Sequence, residues 1–332
     1  MIEPKQAPNS RSVKPIAVEL FAGAGLLSHA LKREGFTITF AVELDPICCK
    51  TYRRNVGHHI VCSDVRNASY EGPCDILVAG PPCQGFSTLN RKRHNDVRQL
   101  LTYEVVNWVE RLKPSVVAIE NVAAFLETEH YQAVRDRLER LGYLVEARVL
   151  DAADFGVPQF RRRSFLVASK LGPLEWPKTV AKTVSVRQAW KGLSEEPDGA
   201  NMHTAPIPSP LALSRMMVIN PGGDKRDVMA ARPELGAPSW FRLGVEITDV
   251  WGRLHWDRPS NTLRTAMQNP SKGRYIHPEQ NRVISLREAA RLHSIPDSWV
   301  FEGSPTQIAR QLGNSVPPKL GRALAKQLRA LF

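Results

Sequence analysis

The chain has 332 residues, 42% of them hydrophobic, enough to bury one large core and a smaller appendage. Its 45 Lys and Arg against 33 Asp and Glu leave a formal charge of +12, which favours a polyanionic partner without separating DNA from RNA or an acidic membrane. Residues 1–15 are polar, carry Pro4, Pro8 and Pro15 and lack an apolar run, which excludes a signal sequence or membrane span there and predicts a loose tail over 1–14 on a cytoplasmic protein.

From Ile16 to about Lys170, short apolar runs alternate with helix-like segments. This is the pattern of an α/β fold with a doubly wound, mostly parallel sheet covered by helices on both faces. Strands are predicted over 16–20, 38–42, 59–62, 75–79, 116–119, 145–150 and 164–168, and helices over 26–33, 46–55, 100–112 and 132–141. After Leu171 the texture changes: Pro206, Pro208 and Pro210 crowd together, Gly222-Gly223 marks a turn, and a separate small lobe is expected to about Ile247. Ser285 to Glu288 reads as a capping box opening a helix with Ala289 and Leu292 on its apolar face, and a last helix is expected over 319–331.

The first strand-to-helix junction reads F-A-G-A-G, with Phe21, Gly23 and Gly25 where glycines let a ligand approach the backbone. Glu43 follows Gly23 by 20 residues at the end of the second strand, suited to accepting ribose hydroxyls, and Asp64 ends the third, so the three strand ends describe an adenosine site. A tight turn with two ordinary helix caps is the plain alternative. The third glycine of G-x-G-x-x-G is missing, which disfavours a bound pyrophosphate and suits a ligand without phosphates.

The five cysteines, Cys48, Cys49, Cys62, Cys74 and Cys83, show no C-x-x-C pairing, so neither a disulfide framework nor a metal site is expected. Cys83 differs from the others: it follows an apolar strand and Pro81-Pro82 and precedes Gln84 and Gly85, a rigid setting at a sheet edge for a nucleophilic thiol. A lone cysteine is more often buried and structural, but Pro81, Pro82, Gln84, Gly85 and Ser87 around Cys83 reverse that balance. The polar, basic stretch through Arg98 could close over a phosphate backbone or simply be a solvated loop. Glu120 and Asn121 end the fifth strand at the same edge, for catalysis or for a salt bridge. Gln159, Arg161, Arg162 and Arg163 precede the last strand, as phosphate or carbonyl ligands or as a basic turn. Asn314 sits in G-N-S-V-P-P, a rigid turn read as returning to the sheet.

In this order F-A-G-A-G, V-E-L-D, P-P-C-Q-G-F-S, E-N-V, Q-x-R-x-R, R-P-S-N-T, R-V-I-S-L-R-E-A-A-R-L and G-N-S-V-P-P resemble the DNA (cytosine-5)-methyltransferase family, particularly its compact bacterial restriction-modification members, over nearly the whole chain. The resemblance implies a nucleophilic Cys83, with Glu120 engaging the base edge and Arg163 contacting the target cytosine. Arg161, also placed in the catalytic group, is expected to hold phosphate. It implies an S-adenosylmethionine site lined by Phe21, Ala22, Gly23, Gly25, Leu26, Glu43, Asp64, Val65, Pro82, Asn314 and Ser315. Duplex DNA is the expected partner, contacted by Gln84, Ser87, Arg91, Arg98, Gln159 and Arg161, and by Gly222, Gly223, Lys225 and Arg226 of a target-recognition domain over 171–247. Residues 15–170 would form the catalytic and cofactor-binding domain, with 248–332 as the junction and return to it.

A cognate restriction endonuclease and a monomeric enzyme are also expected, with no metal and no membrane contact. Leu26 stands where the family often has glycine, Asn90 and basic residues stand in the closing loop, and S-I-P-D at 294–297 replaces an aromatic-containing version; none removes a catalytic group. The rival readings are a transfer-RNA methyltransferase on the same scaffold, an inactive DNA-binding module, and a small-molecule methyltransferase.

Overall fold

A computed structural model describes residues 14–82, 100–180, 182–242 and 249–332. Cys83, Gln84, Ser87, Arg91 and Arg98 therefore lie outside the described residues, as do most of the expected tail and 243–248 of the expected recognition domain. Seven strands form one sheet in the order β3-β2-β1-β4-β5-β7-β6. They are β1 (Ile16–Leu20), β2 (Thr37–Glu43), β3 (Ile60–Cys62), β4 (Ile76–Ala79), β5 (Val116–Val122), β6 (Leu144–Asp151) and β7 (Arg162–Ser169). The first five are mutually parallel, whereas β7 runs antiparallel to both β5 and β6.

The helices of this core are α1 (Leu26–Arg33), α2 (Pro46–Asn55), α3 (Leu101–Leu112) and α4 (Glu129–Arg140). Alternation along β1 shows why the sheet is covered on both sides: Ala17 packs with Leu31, Leu320 and Leu324 on one face, and Val18 with Val105, Trp108 and Leu138 on the other. Strand order reverses between β1 and β4, so the chain leaves their carboxyl ends in opposite directions and opens a crevice there.

The remaining helices are α5 (Val186–Ala189), α6 (Pro210–Val218), α7 (Lys225–Ala231), α8 (Pro238–Arg242), α9 (Leu286–Leu292), α10 (Pro305–Asn314) and α11 (Pro318–Arg329). The small lobe has its own core, where Met216, Val228 and Trp240 meet Trp251, Ile276 and Val283. Arg253, almost wholly buried, binds it by donating to the carbonyls of Met216, Ile219, His277 and Gln280. Val186 and Trp190 instead join the cluster around Leu286 and Ala289. The capping box of α9 is present, and Arg282 grips its Glu288 with two bonds of 2.7 and 2.8 Å. Among the described residues no helix is long and apolar enough to cross a membrane.

Candidate active site

A cavity of about 740 Å³ occupies the crevice beyond β1 and β4, a size within the range of small-molecule sites. Phe21, Ala22, Gly23 and Leu26 line it from the first junction. Gly23 sits at φ +52° with nothing within 4 Å of where a Cβ would point, so this side of the loop is open to a ligand. Gly25 does not line the cavity. At φ +87° it faces away, where a Cβ would come within 2.7 Å of both Tyr52 and Val56. Its glycine is required by packing against α2. Gly25 supplies no side-chain cap to α1, and the buried Glu19 carboxyl takes the backbone N–H of Ser28 in its first turn.

Glu43 ends β2 with its carboxylate fixed by two backbone donors, Gly23 N–H at 2.9 Å and Asp45 N–H at 2.8 Å. Burial pushes its pKa up and these bonds pull it back. Val65 and Asp64 follow β3, where the indole N–H of buried Trp108 donates to the Val65 carbonyl at 3.1 Å and fixes the turn. Arg66 holds the Asp64 carboxyl down at about 2, chiefly through its side-chain hydrogen bonds.

Pro82, the last described residue before Cys83, lines the same cavity, as do Glu120 and Arg163. Arg163 Nε lies 3.0 Å from Glu120 Oε1 with both side chains largely buried. The antiparallel register of β5 and β7 brings them together, since Val122 pairs with Arg163 and Glu120 with Phe165. Burial raises the Glu120 pKa, against the lowering influence of Arg163 and then Arg161. The site thus holds a buried carboxyl, its pKa raised by burial, beside a fixed guanidinium.

Asn314 and Ser315 also reach the cavity, from the end of α10 rather than from a free loop. Among the lining residues that the sequence reading did not assign to the site are Leu44, Cys48, Arg310 and Gln311. Leu44 is 66% exposed directly after Glu43, an apolar side chain left at the cavity mouth. The S-P-T-Q capping box of Ser304 and Gln307 could have revealed α10, and with it Arg310 and Gln311.

Five expected DNA contacts are corrected. Arg161 is buried and its guanidinium donates to the carbonyls of Leu263, Gly313 and Ser315, so it braces the fold instead of facing phosphate or the reacting base. Gln159 is likewise buried, bonded to Leu263, Leu292 and His293. Lys225 is 2% exposed and does not present its charge to a groove. The carbonyls of Gly222 and Gly223 accept from buried Arg274, and a Cβ on either glycine would collide with His255 or Asp227, so this turn is packed from within. Arg226 remains at the surface, paired with Asp224 at 2.8 Å.

Known proteins resemble this chain over nearly its whole length. The family model for C-5 cytosine-specific DNA methylase matches residues 16–330. The Type II methylase M.HgiDII of Herpetosiphon aurantiacus is 33% identical, with 94% of each chain covered. The Type II methyltransferase M1.HphI of Haemophilus parahaemolyticus is also 33% identical, over 93% of this chain and 85% of that one. Among solved structures, a prophage-encoded E. coli protein described as a DNA modification methyltransferase superposes with a TM-score of 0.75 at 24% identity, covering 96% of this chain and 99% of the other. The S. pombe Dnmt2 methyltransferase gives 0.61 at 19% identity, covering 96% and 98%. These two likenesses speak for the fold.

Proposed function

The chain belongs to the C-5 cytosine-specific DNA methylase family, and from that premise we propose that it methylates carbon 5 of a cytosine everted from a short duplex sequence, through a transient bond to Cys83. The observation carrying the proposal is a single cavity that gathers Gly23 and Glu43, the Glu120–Arg163 pair, Asn314 and the residue preceding Cys83.

The residues fit S-adenosylmethionine. Glu43, held by two backbone donors, has oxygen lone pairs left for ribose hydroxyls, and Gly23 leaves room beside the backbone. When bound, that molecule supplies an electrophilic methyl group. The thiolate of Cys83 forms a bond to carbon 6 of the base, while Glu120 shares a proton with ring nitrogen 3 and Arg163 donates to the pyrimidine carbonyl. Carbon 5, made electron-rich, takes the methyl group; loss of its proton and cleavage of the carbon–sulfur bond return the thiolate. The net charge of +12 favours the DNA backbone, whose contacts offset the few kcal/mol of eversion.

The enzyme acts as a monomer, since everting one base needs only one site, and residues 171–247 supply target recognition, with Arg226 the surface cation among the residues first considered. The Type II names of the relatives favour a partner endonuclease and DNA over transfer RNA. Transfer of labelled methyl to duplex DNA and to bulk tRNA in parallel, with bisulfite sequencing of the DNA, tests the reading. Modification of one short motif is expected; label on tRNA alone refutes the substrate.

A further inference from the structure

Asn314 and Ser315 come to the cavity from the far end of the chain, and a buried polar cluster holds the turn that carries them. Four segments meet there: 159–161, 263–265, His293 after α9, and 312–315. Arg161 donates to both Gly313 O at 2.7 Å and Ser315 O at 3.0 Å. Gly313 packs so closely that a Cβ would lie 2.5 Å from Thr265 N. His293, fully buried, sits between Gln159 and Ser315.

The hydrogen bonds define which imidazole nitrogen carries the proton. Gln159 Oε1 accepts from Leu263 N–H at 3.0 Å, so its amide nitrogen faces Leu292 O at 3.3 Å and His293 Nδ1 at 3.0 Å. The amide donates to both, and Nδ1 is therefore the acceptor. The proton resides on Nε2, which points at Ser315 O at 3.1 Å and Ser315 Oγ at 3.0 Å, while that hydroxyl donates to Leu312 O at 3.0 Å. Charging the ring would set an N–H against the Gln159 amide and a cation beside Arg161. Burial, followed by Arg161, keeps the pKa of His293 well below the usual histidine range.

We propose that His293, with its proton on Nε2, is a positioning residue for the methyl donor: it locks the turn that presents Asn314 and Ser315 to the cavity. The inference rests on the S-adenosylmethionine reading of that cavity. It predicts an effect confined to one substrate, because Asn314 and Ser315 serve the donor's side of the reaction.

The test is steady-state methylation of duplex DNA by the full chain, varying S-adenosylmethionine and DNA separately. His293→Leu should raise KM for S-adenosylmethionine roughly tenfold, the loss of a well-placed buried hydrogen bond. KM for DNA and kcat at saturating donor should stay within about twofold, as for uniform loss of donor binding. His293→Gln, which keeps a donor near the Nε2 position, should recover most of the loss. His293→Asn, which keeps an acceptor for Gln159 but cannot reach Ser315, should behave like the leucine variant and stands in for it if that protein does not fold. An unchanged KM for the donor with a reduced active fraction, or a rise that glutamine does not reverse, would overturn the role of His293. A wild-type chain that binds no S-adenosylmethionine would instead refute the cofactor reading itself.

Discussion

Replacing Gly25 by alanine adds one methyl group where none fits. Its φ of +87° is left-handed, which costs an L-residue about 1–2 kcal/mol. The new Cβ would also meet Tyr52 Cδ2 and Val56 Cγ2 at 2.7 Å, both on buried side chains, and overpacking of this kind costs about 1–3 kcal/mol. The sum is about 2–5 kcal/mol. With an unfolding entropy near 2.1 cal/mol/K per residue, a chain of 332 residues loses roughly 1.4 °C per kcal/mol, so Tm should fall by about 3–7 °C. Gly23→Ala makes the control: it shares the left-handed backbone but its Cβ meets nothing, so Tm should fall by about 3 °C at most. Affinity for S-adenosylmethionine should divide the other way, dropping more for Gly23→Ala because the methyl group enters the cavity. Differential scanning calorimetry and titration of the donor read both quantities. Equal Tm losses, or a donor affinity more sensitive at Gly25 than at Gly23, would refute the division of labour between these glycines.

Glu120→Gln should lower kcat at least 100-fold, in line with loss of a general acid, while gel-shift affinity for duplex DNA changes little. Glu19 lies buried under the first junction, hydrogen-bonded by Ser28, which in turn meets Tyr52 at 2.8 Å. Burial lifts its pKa to about 8, with Glu43 adding to the rise. Because the folded value exceeds the unfolded one near 4.5, the native state holds the proton longer, and stability on the order of 5 kcal/mol present below pH 4.5 is lost as pH climbs to 8. Glu19→Gln should flatten Tm against pH across that window; an unaltered slope would contradict it. Arg161→Ala should destabilise the chain by several kcal/mol by leaving the Leu263, Gly313 and Ser315 carbonyls unmet, yet leave the salt dependence of DNA binding unchanged. A slope reduced by about one would restore Arg161 as a phosphate contact.

All seven strands were legible in the sequence, most as short apolar runs between turn residues, and β1 and α1 fall on the expected bounds. The direction of β7 was less evident, although the 152–161 stretch after β6 is too short for a helical crossover and favours an antiparallel return. Glu43, Glu120 and Arg163 could be named because each sits at or next to a strand end, where a crevice must open. Arg161 and Gln159 could not be placed, since the groups that bury them, Leu263, His293 and Ser315, lie more than 100 residues away. The small lobe was expected, but its core was not, because it joins Met216 and Trp240 to Ile276 and Val283, beyond the expected end at Ile247. Lys225 shows the limit of reading charge alone: a cation in a presumed recognition segment is packed inside it.

The most direct test of the account is to incubate the protein and S-adenosylmethionine with a duplex carrying 5-fluorocytosine at the methylated position. Fluorine blocks loss of the carbon 5 substituent, so the carbon–sulfur bond should persist and peptide mapping should find the nucleotide on Cys83, with none formed by Cys83→Ser. An adduct on another residue, or efficient methylation of ordinary DNA by Cys83→Ser, would contradict the mechanism.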